Sequence, residues 1–236
     1  MRRSVTLSML LLVAAILILF FLNLLLGSVE IPVKSVWNII TGGSGESEIW
    51  RNILLKSRVP QSLTALVAGA GLAISGLQMQ TVFRNPLAGP SVLGISSGAS
   101  LGVAFVVLLS GSIGGVALSS LGFFGELALT VAAIAGALSV MALIVFVSQK
   151  VKGNVTLLII GVMIGYVANA VIGVLKFFSV EEDIRAYVIW GLGSFARVSG
   201  NQVVVFVCIM AVLLPLSFLL IKTLNLLLLR NIPLHR

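Results

Sequence analysis

Few side chains in this 236-residue chain can do chemistry, and their placement excludes most of it. The single histidine, His235, stands in a polar tail with no second ligand beside it, so no metal site follows. Cys208 is the only cysteine and lies inside an apolar run, which excludes an intrachain disulfide and a Cys-based metal centre. There is no G-x-x-x-x-G-K-[ST] phosphate loop, so the chain is not itself an ATPase of that kind. The run Gly42-Gly43-Ser44-Gly45 lacks the strand before and helix after that would turn it into a phosphate cradle. No apolar run contains Asp, Glu, Lys, Arg or His in its interior, where ion-coupled transporters place their coupling groups. What remains is hydrogen bonding by Gln78, Gln80, Asn85, Asn154 and Asn169, within or beside the apolar runs. Such groups commonly tie one membrane helix to another, at about 1 kcal/mol each. The sequence holds no catalytic constellation and points to no cofactor, so an enzyme is not expected.

The elements that carry these residues are membrane helices. Hydrophobic residues make up 59% of the chain and charged residues 9%, against about 25% charged in a soluble domain. Mean hydropathy is +1.19. The net charge of +8 would suggest nucleic acid in a soluble chain, but here basic residues sit singly in loops between apolar runs. Anchoring against anionic lipid accounts for them, and no nucleic-acid partner is expected. The fold class is all-α, a polytopic bundle with about six spans at 5–26, 61–83, 91–110, 126–148, 155–175 and 203–222. The first run is too long for a signal-peptide core, no A-x-A site follows, and further spans come after it. Between the first two spans, Val33, Val36, Trp37 and Ile40 recur at helical spacing and suit a short amphipathic helix in the membrane interface.

Residues 58–102 are the most informative stretch. Two apolar runs are joined by Arg84-Asn85-Pro86-Leu87-Ala88-Gly89-Pro90, where two prolines in five positions end any helix. The result is a transmembrane hairpin. Gly94, Gly98 and Gly102 share one face of the third span, and Gly161 and Gly165 share one face of the fifth. Close backbone approach is what drives helices together in lipid, so these faces are packing seams or surfaces on which helices slide.

The same stretch resembles a family. Arg58-x-Pro60, Gly69-Ala70-Gly71-Leu72-Ala73-Ile74-Ser75-Gly76, Gln80, Asn85-Pro86-Leu87-Ala88-x-Pro90 and Leu93-Gly94-Ile95-Ser96-Ser97-Gly98-Ala99 are similar to the FecCD-type permease subunits of ABC importers. Those importers carry iron-siderophores, haem or vitamin B12. The resemblance continues in Gly161-Val162-Met163-Ile164-Gly165 and Trp190-Gly191-x-Gly193-Ser194-Phe195, so it covers nearly the whole chain. It implies a single permease domain over 1–236, the first part of a ten-helix type II fold, in the bacterial inner membrane with a cytoplasmic N-terminus. Implied partners are an ABC ATPase subunit, a periplasmic or lipoprotein substrate-binding protein and a second permease copy, with an iron chelate or cobalamin as substrate.

Site residues follow from the resemblance position by position. Asn85 and Leu87 match the hairpin tip that contributes to the family's cytoplasmic gate, and Asn154 and Val155 match its second gate element. Arg58 matches the first arginine of R-x-P-R, which pairs with glutamates of the binding protein. The second arginine is Gln61 here, which removes one charge-assisted contact, and Lys56 and Arg51 are the candidates to compensate. Read without the resemblance, these cations are interfacial anchors.

Charge supports the orientation. With the N-terminus inside, eight basic residues face the cytoplasm (Arg2, Arg3, Arg84, Lys150, Lys152, Lys222, Arg230, Arg236) and seven face outward. All seven acidic residues fall outside, leaving +8 inside and zero outside. After Leu229 the resemblance breaks, and the expectation is a C-terminally truncated permease without the coupling helix, resident in the membrane but inactive. A non-transporting scaffold and a secondary transporter are the competing readings, the latter disfavoured by the missing intramembrane charge.

Overall fold

A computed structural model describes residues 2–43, 45–114, 123–151, 153–198 and 200–229. The tail 230–236 and Ser44 lie outside them. Among the described residues the secondary structure is helical throughout: α1 (Arg2–Leu25), α2 (Val33–Ile40), α3 (Glu48–Ile53), α4 (Val59–Phe83), α5 (Ile95–Gly114), α6 (Phe123–Ser148), α7 (Asn154–Phe178), α8 (Glu181–Gly191), α9 (Gly200–Phe218) and α10 (Ile221–Leu229).

Four helical stretches are long and apolar enough to cross a membrane: Val5–Leu25, Glu48–Phe83, Phe124–Ser148 and Asn154–Phe178. A fifth arises if Gln202–Phe218 and Ile221–Leu227 form one broken span. Six were expected. The third expected span corresponds to α5, which is 20 residues long but starts at Ile95, four residues later than expected; its described apolar part is Ile95–Leu109. Its start is delayed because Pro86, Gly89 and Pro90 leave residues 84–94 in successive turns, closed by bonds such as Ala88 N–H to Asn85 O at 3.0 Å and Gly94 N–H to Ser91 O at 3.2 Å. The second is longer than expected. A π turn at Leu54–Arg58 joins α3 to α4 without a break, giving 36 continuous helical residues. Pro60 has no N–H to offer the preceding turn, and Val59 N–H reaches back to Leu54 O in the wider π pattern.

The chain forms two compact units. The first comprises Met1–Leu72 and Ser194–Leu219, the second Ala73–Gly193 and Leu220–Arg236. In the first, α1 is apolar all round and its span is unburied by protein, so lipid is the solvent that suits it. Only its end is covered: Leu24 joins Ile31, Val36, Ile39 and Leu54 in a core flanked by Phe20 and Trp50. The amphipathic pattern of α2 divides accordingly, with Val36 and Ile39 buried and Val33, Trp37 and Ile40 exposed.

The second unit is built on α5, with α6, α7 and α8 packed around it. Its cores are Val103, Ala104, Val107, Leu108, Ile172 and Tyr187 at one end, and Ala88, Leu93, Val140, Ile144 and Leu158 at the other. The glycines explain the closeness. A Cβ on Gly98 would stand 2.5 Å from Val140 Cγ2 and 2.7 Å from Gly136 O, on α6. One on Gly102 would overlap the Ala132 carbonyl, also on α6. Gly94 differs. Its φ of +74° and the 2.7 Å approach of its would-be Cβ to Gly161 O make it the turn residue that lets α5 begin against α7.

Candidate functional site

The hairpin tip is assembled in the second unit. Helix α4 ends at Phe83, and Arg84 takes a left-handed conformation, φ +49°. That reversal aims Asn85 N–H back at Gln80 O, 3.2 Å away, and closes the last turn of the helix. Asn85 Oδ1 accepts from Leu87 N–H at 2.9 Å, an Asx turn that shapes the chain across Pro86. Ala88 is buried beneath, while Leu87 is 80% exposed. A large apolar side chain held outward on a rigid turn is available to another surface rather than to this core.

Two donors hold the tip from elsewhere in the unit. Asn154, the first residue of α7, donates its amide to Phe83 O at 3.1 Å and Val82 O at 3.4 Å, and so meets carbonyls that α4 leaves open at its end. Arg84 Nη2 donates to Leu227 O in α10 at 2.6 Å. The structure thus brings Asn154 against the end of α4, just before the turn made by Asn85 and Leu87, and Val155 beside it is 67% exposed. The Arg84 link was not legible in the sequence, since 143 residues separate its partners.

The three docking candidates lie in the first unit and divide sharply. Arg51 and Lys56 are exposed. Arg58, at the end of the π turn, is 5% exposed. Its Nη1 donates to Leu24 O at 2.8 Å and Leu25 O at 2.9 Å, and its Nη2 to Val29 O. One turn on, Ser62 Oγ lies 2.8 Å from Asn23 Oδ1 and 2.8 Å from Arg58 O. Asn23 and Ser62 escaped the sequence reading because Asn23 stands as a lone polar residue in an apolar run and the spacing of Ser62 does not reveal a partner 39 residues away.

The glycine faces meet two different neighbours. Gly94 approaches Gly161 and Gly165 on α7, whereas Gly98 and Gly102 approach Gly136 and Ala132 on α6. Gly136 was missed, although its small-xxx-small spacing with Ala132 was the available signal. Beside the α5–α7 crossing an open cleft of ≈ 200 Å³ is lined by Gly94, Ser97, Gly161, Gly165, Tyr166 and Asn169. On α8, burial pushes the Tyr187 hydroxyl above its ordinary pKa, with a Ser100 hydrogen bond pulling the other way. The Lys176 ammonium, in the last turn of α7, sits 4.9 Å from that ring centre. Among the described residues no group of His, Cys, Asp and Glu is placed to hold a metal.

Comparison with known proteins agrees with this architecture. The chain is 33% identical over 203 residues to the hemin transport system permease protein of Yersinia pestis, covering 86% of this chain and 57% of that one. It is 38% identical over 178 residues to a probable iron chelatin transport system permease protein of Helicobacter pylori, covering 74% and 49%. A vitamin B12 import system permease protein of Escherichia coli is 35% identical over 170 residues, covering 72% and 48%. The chain therefore spans about half the length of the curated relatives it matches. A solved chain of a metal-chelate type ABC transporter, in an inward-facing conformation, superposes with a TM-score of 0.72 at 26% identity, covering 92% of this chain and 62% of that one. The FecCD transport family is matched over residues 15–231, nearly the whole length, and the chain belongs to that family.

Proposed function

We propose that this chain serves as the transmembrane permease of an ATP-driven importer that moves an iron chelate, haem or vitamin B12 across the bacterial inner membrane. The observation that carries this reading is the family match over residues 15–231, joined to relatives named for hemin, iron chelatin and vitamin B12. In this reading a separate ATPase subunit hydrolyses ATP, a binding protein delivers substrate from outside, and two permease copies enclose the path. The N-terminus is cytoplasmic. The tip formed by Asn85 and Leu87, held by Asn154 and flanked by Val155, is the cytoplasmic gate. Its form supports the role, because Leu87 projects from a turn fixed by three bonds: Asn85 N–H to Gln80 O, Leu87 N–H to Asn85 Oδ1, and Ala88 N–H to Asn85 O. Exposed Lys56 and Arg51 supply the docking charge on the outer face.

Uptake measurement tests the function. In cells lacking other permeases of this type, the protein expressed from its own gene with its ATPase and binding protein should accumulate one of three labelled substrates: a ferric siderophore, haem or cobalamin. The accumulated substrate then names the class. Membrane-inserted protein that accumulates none of them, with both partners bound, would overturn the proposal.

A further inference from the structure

Arg58 is a buried cation whose partners are main-chain carbonyls. Leu24 O and Leu25 O belong to the last turn of α1, where carbonyls have no intrahelical donor and carry the negative end of the helix dipole. Val29 O lies in the loop that follows. A guanidinium presents five N–H donors in a planar fork and stays charged, so it can hold all three oxygens at once. An ammonium has its three donors on a single nitrogen and cannot reproduce the two-nitrogen reach seen here.

The surroundings are shaped for that fork. A Cβ on Gly27 would stand 2.7 Å from Arg58 Nη2, 3.0 Å from Cζ and 3.2 Å from Nε. The obstacle would be the planar head itself, which could move aside only by giving up bonds to the three carbonyls. Ser62, one turn beyond Arg58 on α4, meets Asn23, one residue before Leu24 on α1. Two successive polar ties therefore join the end of α1 to the start of α4. The π turn at Leu54–Arg58 delivers Arg58 to this point and leaves Lys56 exposed two residues earlier.

We propose that Arg58 is a positioning residue, a clamp that fixes the end of α1 and its following loop to α4, and that it does not present its charge to a docking partner. The outward charge of this loop is that of Lys56 and Arg51. The clamp stands on the geometry alone; only the statement about docking rests on the permease function proposed above.

Two sets of measurements on the protein in nanodiscs test it. The first needs no partner: thermal stability, and amide exchange of residues 22–31, in Arg58→Gln, Arg58→Lys and Gly27→Ala. Loss of the clamp should speed exchange in that segment on the order of tenfold while distant helices keep their protection. Gly27→Ala, which leaves the arginine in place, should reproduce Arg58→Gln, and Arg58→Lys should not restore the wild type. The second is the salt dependence of binding-protein affinity. Arg51→Gln and Lys56→Gln should each flatten it, and Arg58→Gln should leave the slope unchanged.

A flattened slope in Arg58→Gln would overturn the proposal, as would wild-type exchange and stability in Gly27→Ala. If Arg58 variants fail to insert, Gly27→Ala decides alone. Wild-type protein that binds no binding protein at all would sink the docking reading, with the exchange result still standing for or against the clamp.

Discussion

At the scale of single residues, the polar side chains around the hairpin tip close open helix ends. Asn154 meets the final carbonyls of α4, Arg84 meets a carbonyl of α10, and Asn85 closes its own turn. Each bond is worth about 1 kcal/mol net, so shape is a larger consequence than stability. The Asx turn separates these roles. Asp in place of Asn85 keeps an acceptor for Leu87 N–H, whereas Ala removes it. If the tip is the gate, Asn85→Asp should keep substrate uptake within about twofold of wild type while Asn85→Ala lowers it severalfold at equal membrane abundance. Asn154→Leu should likewise raise ATP hydrolysed per substrate imported, because the end of α4 loses its outside donor. Equal coupling ratios in Asn85→Ala, Asn154→Leu and wild type would reduce both asparagines to turn and cap residues.

At the scale of elements, α5 is the helix on which its unit depends. Its glycines let backbone touch backbone on two sides, so a side chain added there meets atoms that cannot yield. A Cβ on Gly136 would overlap the Gly98 carbonyl, and one on Gly161 would come 2.8 Å from Leu93 Cα. Gly136→Ala and Gly161→Ala should each lower stability by about 1–3 kcal/mol, the usual range for overpacking. Gly173 on α7 meets nothing within 4 Å, so Gly173→Ala is the matched control and should be neutral to slightly stabilising. Thermal unfolding in detergent compares the three, and a Gly136→Ala as stable as Gly173→Ala would contradict this packing. Helix α2 allows a second check. One of its faces packs beside the end of α1 and the other presents Trp37, 64% exposed. With Trp50 and Trp190 changed to Phe, bromine on lipid acyl chains near the headgroups should quench Trp37 more strongly than bromine near the chain ends.

At the scale of the whole molecule, the proposed topology places α8 outside and the α6–α7 loop inside. Val180 and Gln149 are both exposed and report the two sides, once the exposed Cys208 is replaced by Ser. In intact cells an impermeant maleimide should label Val180→Cys and spare Gln149→Cys until the membrane is opened. The reverse pattern would invert the orientation.

How far the sequence carries depends on whether a property is local to the chain. Apolarity over some twenty residues, the prolines that end α4, and the repeat of glycines along α5 and α7 are local, and they were enough for an all-helical membrane protein with a hairpin at 84–90. They also carried the family resemblance. They were not enough for the start of the third span, because the turns through 91–94 take up residues that hydropathy alone counts as helix. Which faces meet was decided only by the tertiary structure. In a soluble helix an apolar stripe marks the buried side, but helices such as α1, α4 and α6 are apolar all round and carry no such mark. Nothing in the spacing could therefore tell that Gly94 serves α7 while Gly98 and Gly102 serve α6, or that Gly136 completes the seam. Arg58 makes the same point for charge. A cation beside a span reads as an outward anchor, and only the fold reveals the three carbonyls and the glycine-sized space that draw it inside.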